Sequence, residues 1–240
     1  AYVGLLCTGK SDYDAIENHR GDGFFANALG ISCVPAASTL RTQMDARAHE
    51  LACHTDELPV TLLKNAHAPI TPLPCGLVPV DIDPFIMNNE KTQKEGLGRT
   101  YAGVDGFVPI AGYIGQEGWC IALELREGSH HSALETEYTL ERLVPRAEAL
   151  TEEEMLLRWD AGFHAVRLTH KVEDASLARQ ARGGRPIYCL VKGNPRGLDI
   201  QALHAICSDS PMIACQPREG KRYWVWETRR ECSHNKKTLT

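Results

Sequence analysis

The sequence lacks the features that mark several common protein classes. No run of eighteen apolar residues is free of charged side chains, so no membrane-spanning helix is predicted. The nine cysteines form no Cys-x-x-Cys pair, and the ten histidines form no His-x3-His pair with a ligand-like neighbour. Neither a zinc site nor a disulfide framework is therefore expected, and reduced cytosolic thiols fit this usage. The apolar residues 1–9 follow no basic segment and precede no cleavage-like site, so they do not predict a signal peptide.

The composition is that of an ordinary globular protein, but its charge is unevenly distributed. Of the 240 residues, 43% are hydrophobic and 24% are charged, which suits one or two domains with a buried core and excludes a disordered chain. The formal net charge is −5, yet residues 176–240 hold 12 Lys or Arg and 5 Asp or Glu, a balance of +7 that leaves −12 for residues 1–175. An acidic body with a basic tail is compatible with a carboxylate site in a protein that binds a polyanion.

Residues 1–55 are predicted to form short helices, and residues 56–76 are predicted to form a linker. Ser38 is a favourable N-cap for a helix that carries Leu40 and Leu51 on one side. Two interpretations of the helical segment stay open: a helix-turn-helix-like unit, and the more common small helical bundle without a ligand. The segment after it contains four prolines and little periodicity, which favours a domain boundary there.

From residue 77 the pattern changes to strands followed by alternating helices and strands. The predicted elements are Leu77–Asp83, Phe107–Ile114, Trp119–Leu125, the helix Leu134–Leu150, Met155–Asp160, the helix 163–182, and Ile187–Val191. Three strands followed by helix, strand, helix and strand predict a mixed sheet with helices on its faces. This order matches the RNase H-like fold, so the predicted fold class is α+β, with residues 77–195 as the core and a small N-terminal helical domain.

Two aspartates stand at the ends of strands that this topology can bring together. Asp83 ends the first strand and Asp160 ends the fourth. Carboxylates at adjacent strand ends suit Mg²⁺, which takes oxygen ligands and keeps several waters, and pairs of such ions serve enzymes that displace at phosphorus. Two alternatives stay open. A strand-end Asp is often a turn residue or a helix N-cap, and Asp81 shares a strand face with Asp83.

An ordered series of motifs runs along most of the chain. Its members are Asp81-Ile82-Asp83, Asn88-Asn89, Lys94-Glu95-Gly96, Arg99-Thr100-Tyr101, Gly103-Val104-Asp105-Gly106, Gly115-Gln116-Glu117-Gly118, Glu124-Leu125-Arg126, Gly128-Ser129 with His131, Arg158-Trp159-Asp160-Ala161-Gly162-Phe163, and Pro217-Arg218-Glu219-Gly220-Lys221. This series resembles the DDE (Asp-Asp-Glu) transposases of bacterial insertion sequences, in the RNase H-like superfamily.

The resemblance implies cut-and-paste DNA transposition, by metal-dependent DNA cleavage and strand transfer at the ends of the element. Matched by position, Asp83 and Asp160 are the first two catalytic carboxylates and the ligands of Mg²⁺ (or Mn²⁺). Lys91, Lys94 and Arg99 are then expected to contact DNA phosphates, which accept Lys and Arg without sequence information. A solvated hairpin is an equal alternative for these three residues.

The resemblance also implies the protein's partners and location. The N-terminal helices would bind the terminal inverted repeats of the element, and the core would act on target DNA as well. Two ends must be joined, so a homodimer is expected of a complete protein. The implied location is the bacterial cytoplasm, in association with the nucleoid and without a membrane partner.

The sequence departs from the resemblance at two minor positions and one major one. Asn88 stands where an Asp is expected, and Pro84 stiffens the strand exit. The major departure concerns the third catalytic residue, a Glu expected on a late helix in a Tyr-x2-Arg-x3-Glu context. Counted from Tyr223, the Arg position holds Trp226 and the Glu position holds Arg230. The nearby acids Glu227 and Glu231 are out of register, and neither is assigned.

Three functions therefore stay open. Residues 196–240 resemble the start of the family's basic, β-rich insertion, and the sequence, which begins at Ala1 without Met and ends at Thr240, is expected to be a fragment. The first function is that of a DDE transposase. The second is that of a non-catalytic transposase remnant that at most binds DNA. The third is that of a different RNase H-like nuclease.

Overall fold

Two structural units make up the chain, Ala1–Leu58 and Pro59–Thr240. The structure, a computed structural model, describes residues 1–193, 199–207, 213–225, 232–234 and 237–239. The first unit consists of the helices α1 (Tyr2–Cys7), α2 (Gly23–Ala28), α3 (Ala37–Ala46) and α4 (Ala48–Thr55), with a 3-10 helix at Tyr13–His19. Leu5, Ile16, Phe25, Ala37 and Leu40 form its small apolar core.

Helix α3 begins one residue before its predicted cap. Ser38 lies inside the helix, and the N-cap position is Ala36, which has no side chain to accept a hydrogen bond. Glu17 takes over this function, because its Oε1 accepts a hydrogen bond from the Ala37 amide at 2.7 Å. A carboxylate at the positive end of a helix is also favourable to the helix dipole. This bond lowers the pKa of Glu17.

The second unit is built around a five-stranded mixed sheet. Its elements in chain order are α5 (Leu58–Asn65), β1 (Val78–Pro84), β2 (Met87–Asn88), β3 (Gly98–Arg99), β4 (Asp105–Phe107), β5 (Ile110–Ile114), β6 (Trp119–Glu124), α6 (Thr136–Glu148), β7 (Met155–Trp159), α7 (Val166–Ala181), β8 (Ile187–Val191), α8 (Ile200–Cys207), β9 (Ile213–Arg218), β10 (Lys221–Val225), β11 (Cys232–His234) and β12 (Lys237–Leu239). The sheet order is β6-β5-β1-β7-β8. The predicted fold class, an α+β mixed sheet flanked by helices, is confirmed.

Strand directions in this sheet follow from the connections between strands. β5 and β6 are joined by the turn 115–118, and residues 85–109, which include the short strands β2 to β4, join β1 to β5; both pairs are antiparallel. β1 pairs in parallel with β7, and β7 pairs in parallel with β8, because a helix carries the chain back between them. β1 is thus the central strand, with an antiparallel neighbour on one side and a parallel neighbour on the other.

Helices α6 and α7 cover one face of the sheet. Leu140 and Leu143 from α6 and Leu168 from α7 share a buried cluster with Val80 and Leu157 of the sheet. The close approach of α6 requires a glycine, because a Cβ atom on Gly112 would lie 2.6 Å from Leu143 Cδ1. On the opposite face, the side chains of Leu123 and Leu190 are exposed.

The motif Glu124-Leu125-Arg126 forms a polar network that attaches α6 to β6. Arg126 is buried, and its Nε donates to Glu124 Oε1 at 2.8 Å. Its Nη2 donates to Thr139 Oγ1 at 2.8 Å, and that hydroxyl donates to Glu124 Oε2 at 2.8 Å. Buried charges are tolerated only when they are paired and hydrogen-bonded. This part of the motif series therefore has a structural function.

A small second sheet, in the order β2-β4-β3, follows β1. The motif Gly128-Ser129 packs against it at backbone distance, since a Cβ atom on Gly128 would lie 2.3 Å from the carbonyl oxygen of Gly98 and 2.5 Å from that of Gly106. Any larger residue at position 128 would push these backbones apart. Asn88 in β2 makes an Asx turn, in which its Oδ1 accepts from the Glu90 amide at 2.9 Å. An aspartate would make the same bond.

The segment predicted as a linker is partly helical and otherwise attached to the sheet. Residues Leu58–Asn65 form α5, and Pro59 is tolerated because the first turn of a helix does not use its amide hydrogens. Beyond the helix, Trp119 Nε1 donates to the Pro69 carbonyl at 2.8 Å. The Thr71 amide donates to Glu117 Oε2 at 3.0 Å. Residues 69–71 thus lie along the β5–β6 hairpin.

The contact between Gly112 and Leu143 predicts a specific coupling. Gly112→Ala should destabilise the protein by about 1–3 kcal/mol through overpacking, and Leu143→Ala by about 2–5 kcal/mol through a cavity. The double variant should cost at least about 1 kcal/mol less than the sum, because the shortened side chain leaves room for the added methyl group. Urea unfolding measures these values. Gly112→Ala combined with Leu140→Ala, also in the core of α6, is the control and should be additive; equal coupling in both pairs would contradict the packing described.

Candidate functional site

The register between β1 and β7 determines which acidic side chains are neighbours. Asp81 is paired with Arg158 in this parallel ladder. Asp83 follows Asp81 by two residues within β1, and Asp160 follows Arg158 by two residues, directly after the end of β7. Side chains alternate between the two faces of a strand, so these four residues share one face. The residues between and before them point into the core on the other face: Val80, Ile82, Leu157 and Trp159.

Asp81 and Arg158 form a two-pronged ion pair. Arg158 Nε donates to Asp81 Oδ1 and Arg158 Nη2 donates to Asp81 Oδ2, both at 2.7 Å. The hydrogen bonds to Asp81 raise the pKa of Arg158. Bidentate pairing of this kind fixes both distance and orientation. Both carboxylate oxygens of Asp81 are therefore committed to the guanidinium, and we call this pair the Arg158–Asp81 fork.

Asp83 is in a different electrostatic environment from Asp81. Partial burial raises the pKa of the Asp83 carboxyl, and the negative charges of Asp160 and Asp81 raise it further. In the part of the chain that the structure describes, no cation is paired with Asp83. Neighbouring negative charges disfavour the ionised form of a carboxyl group. A bound cation would remove this penalty, which distinguishes Asp83 from Asp81 as a candidate ligand.

Asp160 performs one of the two functions that its sequence position left open, that of a helix N-cap. Its Oδ1 accepts a hydrogen bond from the Gly162 amide at 2.8 Å and thereby caps the 3-10 helix Ala161–Phe163. Capping occupies one carboxylate oxygen, and Oδ2 has no partner among the hydrogen bonds of the described residues. Gly162 is closely surrounded, since a Cβ atom there would lie 2.9 Å from Ser132 Oγ and 3.0 Å from Asp160 Oδ1. A larger residue would displace the cap.

Tyr113 belongs to the same face of the sheet. It is paired with Asp81 across the antiparallel ladder of β1 and β5. Burial raises the pKa of its phenol, with smaller contributions from Cys120 and from the negative charge of Asp83. The motif series did not include Tyr113 or give Arg158 a partner. A signal for the partner was present, because Asp81 and Arg158 stand at the same spacing before Asp83 and Asp160.

The donor chemistry of the two carboxylates suits a hard divalent cation. Mg²⁺ is commonly held by one or two carboxylates, with waters and substrate phosphates completing its shell. Among the described residues, no group of three or more His, Cys, Asp and Glu side chains is placed to hold a metal ion. The resemblance expects the third catalytic residue in the segment after Tyr223. The positions discussed for it lie outside the residues that the structure describes: Trp226, Glu227, Arg230 and Glu231.

The three cations predicted to contact DNA lie in and beside the small sheet. Lys91 is exposed, in a turn where its φ is 65°. Lys94 Nζ lies 3.2 Å from the Asn89 side-chain amide, in the orientation that lets the amide oxygen accept. Arg99 is paired with Asp105 at 3.1 Å and lies 3.9 Å from Glu90. Arg99 thus has acidic partners within the protein, whereas the two lysines have none among the described ion pairs.

Comparison with known proteins gives two distant structural likenesses. No protein-family model and no curated protein matches this chain. A piggyBac transposase in a synaptic complex with hairpin DNA is similar over 64% of this chain and 33% of that chain, with 11% identity and a TM-score of 0.33. A Mos1 transposase in a paired-end complex with the left transposon end is similar over 78% of this chain and 55% of that chain, with 12% identity and a TM-score of 0.31.

These likenesses are partial as well as distant. The matched region spans about a third of one of these proteins and about half of the other. Similarity at this level does not transfer an activity, so the function has to be argued from the residues of this chain. Within the described residues, no helix combines the length and the apolar character needed to cross a membrane.

The contrast between Asp83 and Asp81 predicts opposite effects on stability. Asp83 has a raised pKa, so its stabilising contribution is complete below about pH 4 and is lost as the pH rises through the raised value. Asp83→Asn should therefore raise Tm at pH 7 by about 1–2 °C, an effect kept small by solvent screening, and the gain should vanish at pH 3. Asp81→Asn should instead cost about 1 kcal/mol, because the fork is lost. Thermal unfolding at both pH values tests this, and a loss of stability at pH 7 from Asp83→Asn would contradict it.

Proposed function

We propose that this chain belongs to a DNA transposase, in which Asp83 and Asp160 hold the divalent cation used for DNA cleavage and strand transfer. The observation that carries the proposal is the position of the two carboxylates at the ends of the neighbouring parallel strands β1 and β7, where no cation from the described residues is paired with them. The ordered motif series, which resembles DDE transposases of bacterial insertion sequences, supports it. The central strand β1 carries Asp83, which the resemblance matches to the first catalytic carboxylate, and this also supports the proposal.

Each residue of this face has a separate role in the proposal. When bound, Mg²⁺ (or Mn²⁺) supplies activation of the attacking oxygen and stabilisation of the leaving oxygen at phosphorus. Asp83 contributes an uncommitted carboxylate, and Asp160 contributes the oxygen that its helix cap does not use. The Arg158–Asp81 fork is electrically neutral as a unit. The two ligand carboxylates therefore leave this face with a net negative charge, which attracts a divalent cation.

Asparagine substitutions test the two carboxylates without disturbing the fold. Asp83→Asn and Asp160→Asn each remove a ligand charge, and asparagine at position 160 still caps the 3-10 helix. In a protein of this sequence that cleaves element-end DNA, each change should lower Mg²⁺-dependent cleavage by at least about 10³-fold, close to 4 kcal/mol of transition-state stabilisation. DNA affinity should stay within about twofold, since phosphate contacts are unaffected.

Asp81→Asn is the comparison variant for this experiment, because it removes a neighbouring carboxylate that is not a proposed metal ligand. Unimpaired cleavage by Asp83→Asn together with loss of cleavage by Asp81→Asn would show that the wrong member of the pair had been chosen. The DNA probe comes from the sequences that flank the reading frame, where a transposase should find its inverted repeats. Cleavage that is indifferent to these sequences would instead favour a general RNase H-like nuclease.

A second candidate function, DNA binding without cleavage, is favoured by one observation. From Tyr223 onward, Trp226 and Arg230 stand where the resemblance expects an Arg and the third catalytic carboxylate, Glu. Mn²⁺ binding and specific DNA binding by the 240-residue chain, without strand cleavage in Mg²⁺ or Mn²⁺, would support this candidate. Cleavage by the same chain would contradict it. DNA binding by a homodimer is part of both candidates and is measured by the mass of the complex.

The lysines of the small sheet give a separate test of DNA binding. If Lys91 and Lys94 each contact a phosphate, the double variant Lys91→Gln/Lys94→Gln should reduce the slope of log affinity against log salt by about 1.8. Arg99→Gln should change the slope by less than about 0.5, because Arg99 is already paired with Asp105. Gel-shift titrations at several salt concentrations measure both slopes. A larger effect from Arg99→Gln would show that Arg99 exchanges its acidic partner for DNA.

A further inference from the structure

The paired register of β1 and β7 ends at the fork. The last opposed residues of this ladder are Asp81 and Arg158, whereas β1 continues to pair with β5 as far as Pro84. Asp83 is therefore attached to the sheet through β5 alone, and Asp160 stands just after the end of β7, where the chain enters a 3-10 helix. The separation of the two carboxylates is not fixed by backbone pairing between their own strands.

We propose that the Arg158–Asp81 fork is a positioning pair, which holds the ends of β1 and β7 together so that Asp83 and Asp160 can bind one divalent cation. The inference rests on the proposed metal site and adds a role for two residues that do not touch the metal. Two short hydrogen bonds in one plane fix the separation and orientation of the strands at the last paired position. The ligand carboxylates follow two residues later on the same face.

Electrostatics alone would give Arg158 the opposite effect. Arg158 is a cation close to a cation site, so on charge alone its removal should strengthen the binding of a divalent ion. A positioning pair predicts weaker binding when the fork is broken, even when the net charge is preserved. The two explanations therefore differ in the sign of the effect, which makes them separable by measurement.

Two variants break the fork without changing the net charge. Arg158→Lys keeps the positive charge but loses the planar, two-pronged donor. Asp81→Asn/Arg158→Gln removes both charges together. Mn²⁺ binding to the 240-residue chain, followed by the electron paramagnetic resonance signal of free Mn²⁺, should weaken at least about 10-fold in both variants, as is usual when a supporting partner of a metal ligand is lost. Arg158→Gln alone should also weaken binding, although it adds net negative charge.

A matched control pair lies away from the site on the two covering helices. Lys171 and Glu141 form an exposed ion pair at 2.6 Å, and Glu141→Gln/Lys171→Gln removes it at unchanged net charge. Mn²⁺ affinity in this variant should stay within about twofold of the wild-type value. Thermal unfolding without metal is measured for every variant. A lower Tm with unchanged Mn²⁺ affinity would show that the fork is merely structural and would overturn the inference.

Asp83→Asn distinguishes failure of this inference from failure of the proposed function. Equal Mn²⁺ affinity in Asp83→Asn and wild type would mean that the carboxylates are not the metal site, and the proposed function would fall with it. Weaker binding in Asp83→Asn together with wild-type affinity in Arg158→Lys would overturn the positioning role alone. Tighter binding in Arg158→Gln would do the same, because it would show that Arg158 acts only through its charge.

Discussion

The parallel register of β1 against β7 is the constraint on which the rest of the second unit depends. It sets Asp81 opposite Arg158 and brings Asp83 and Asp160 to the same end and face of the sheet. A shift by one residue would turn the buried side chains of one strand to solvent and its acids into the core. The register is therefore specified twice: by the burial of Val80 and Leu157 on one face, and by the fork on the other.

The two faces of the sheet differ in how their charged side chains are paired. On the covered side, two buried arginines are paired: Arg126 binds Glu124 and Thr139, and Arg179 of α7 donates to the carbonyls of Thr151 and Glu153 at 3.1 Å. On the other side, the carboxyl group of Asp83 lies near the carboxylates of Asp160 and Asp81, and the pKa of Asp83 is raised. Asp83 and Asp160 therefore differ from these two arginines, because no cation is paired with either carboxylate among the described residues. Uncompensated charge of this kind is common at functional sites.

The sequence predicted most of the second unit because its strands are short and strongly patterned. The predicted strand Ile187–Val191 agrees with β8, and the helix predicted over 134–150 agrees closely with α6, Thr136–Glu148. Helix α7, Val166–Ala181, lies within the helix predicted over 163–182. Leu177 is exposed, whereas Ser176 and Arg179 are buried, because they bind the Ile187 amide and two loop carbonyls. Hydrophobic periodicity does not detect a polar residue that is buried to hold another element.

Long-range contacts also limited the prediction of the site and of the first unit. Local capping preferences favoured Ser38, but Glu17 supplies the acceptor from 20 residues away. Likewise, strand alternation put Asp81 and Asp83 on one face and gave no basis for choosing between them. The distinction comes from Arg158, which is 77 residues away in sequence and opposite Asp81 in space. Only the pairing of strands reveals which acid already has a partner.

The charge distribution has a further physical consequence for the proposed function. Asp83 and Asp160 repel the phosphates of a DNA backbone as long as they have no counter-ion, and nearby Arg158 is held by Asp81. A divalent cation reverses the sign of this interaction, because it neutralises the carboxylates and presents positive charge to phosphate. The lysines of the small sheet act differently, since they attract DNA whether or not metal is present. Under the proposed function, binding and chemistry are thus separable: the lysines would hold DNA before the carboxylate face becomes able to accept it.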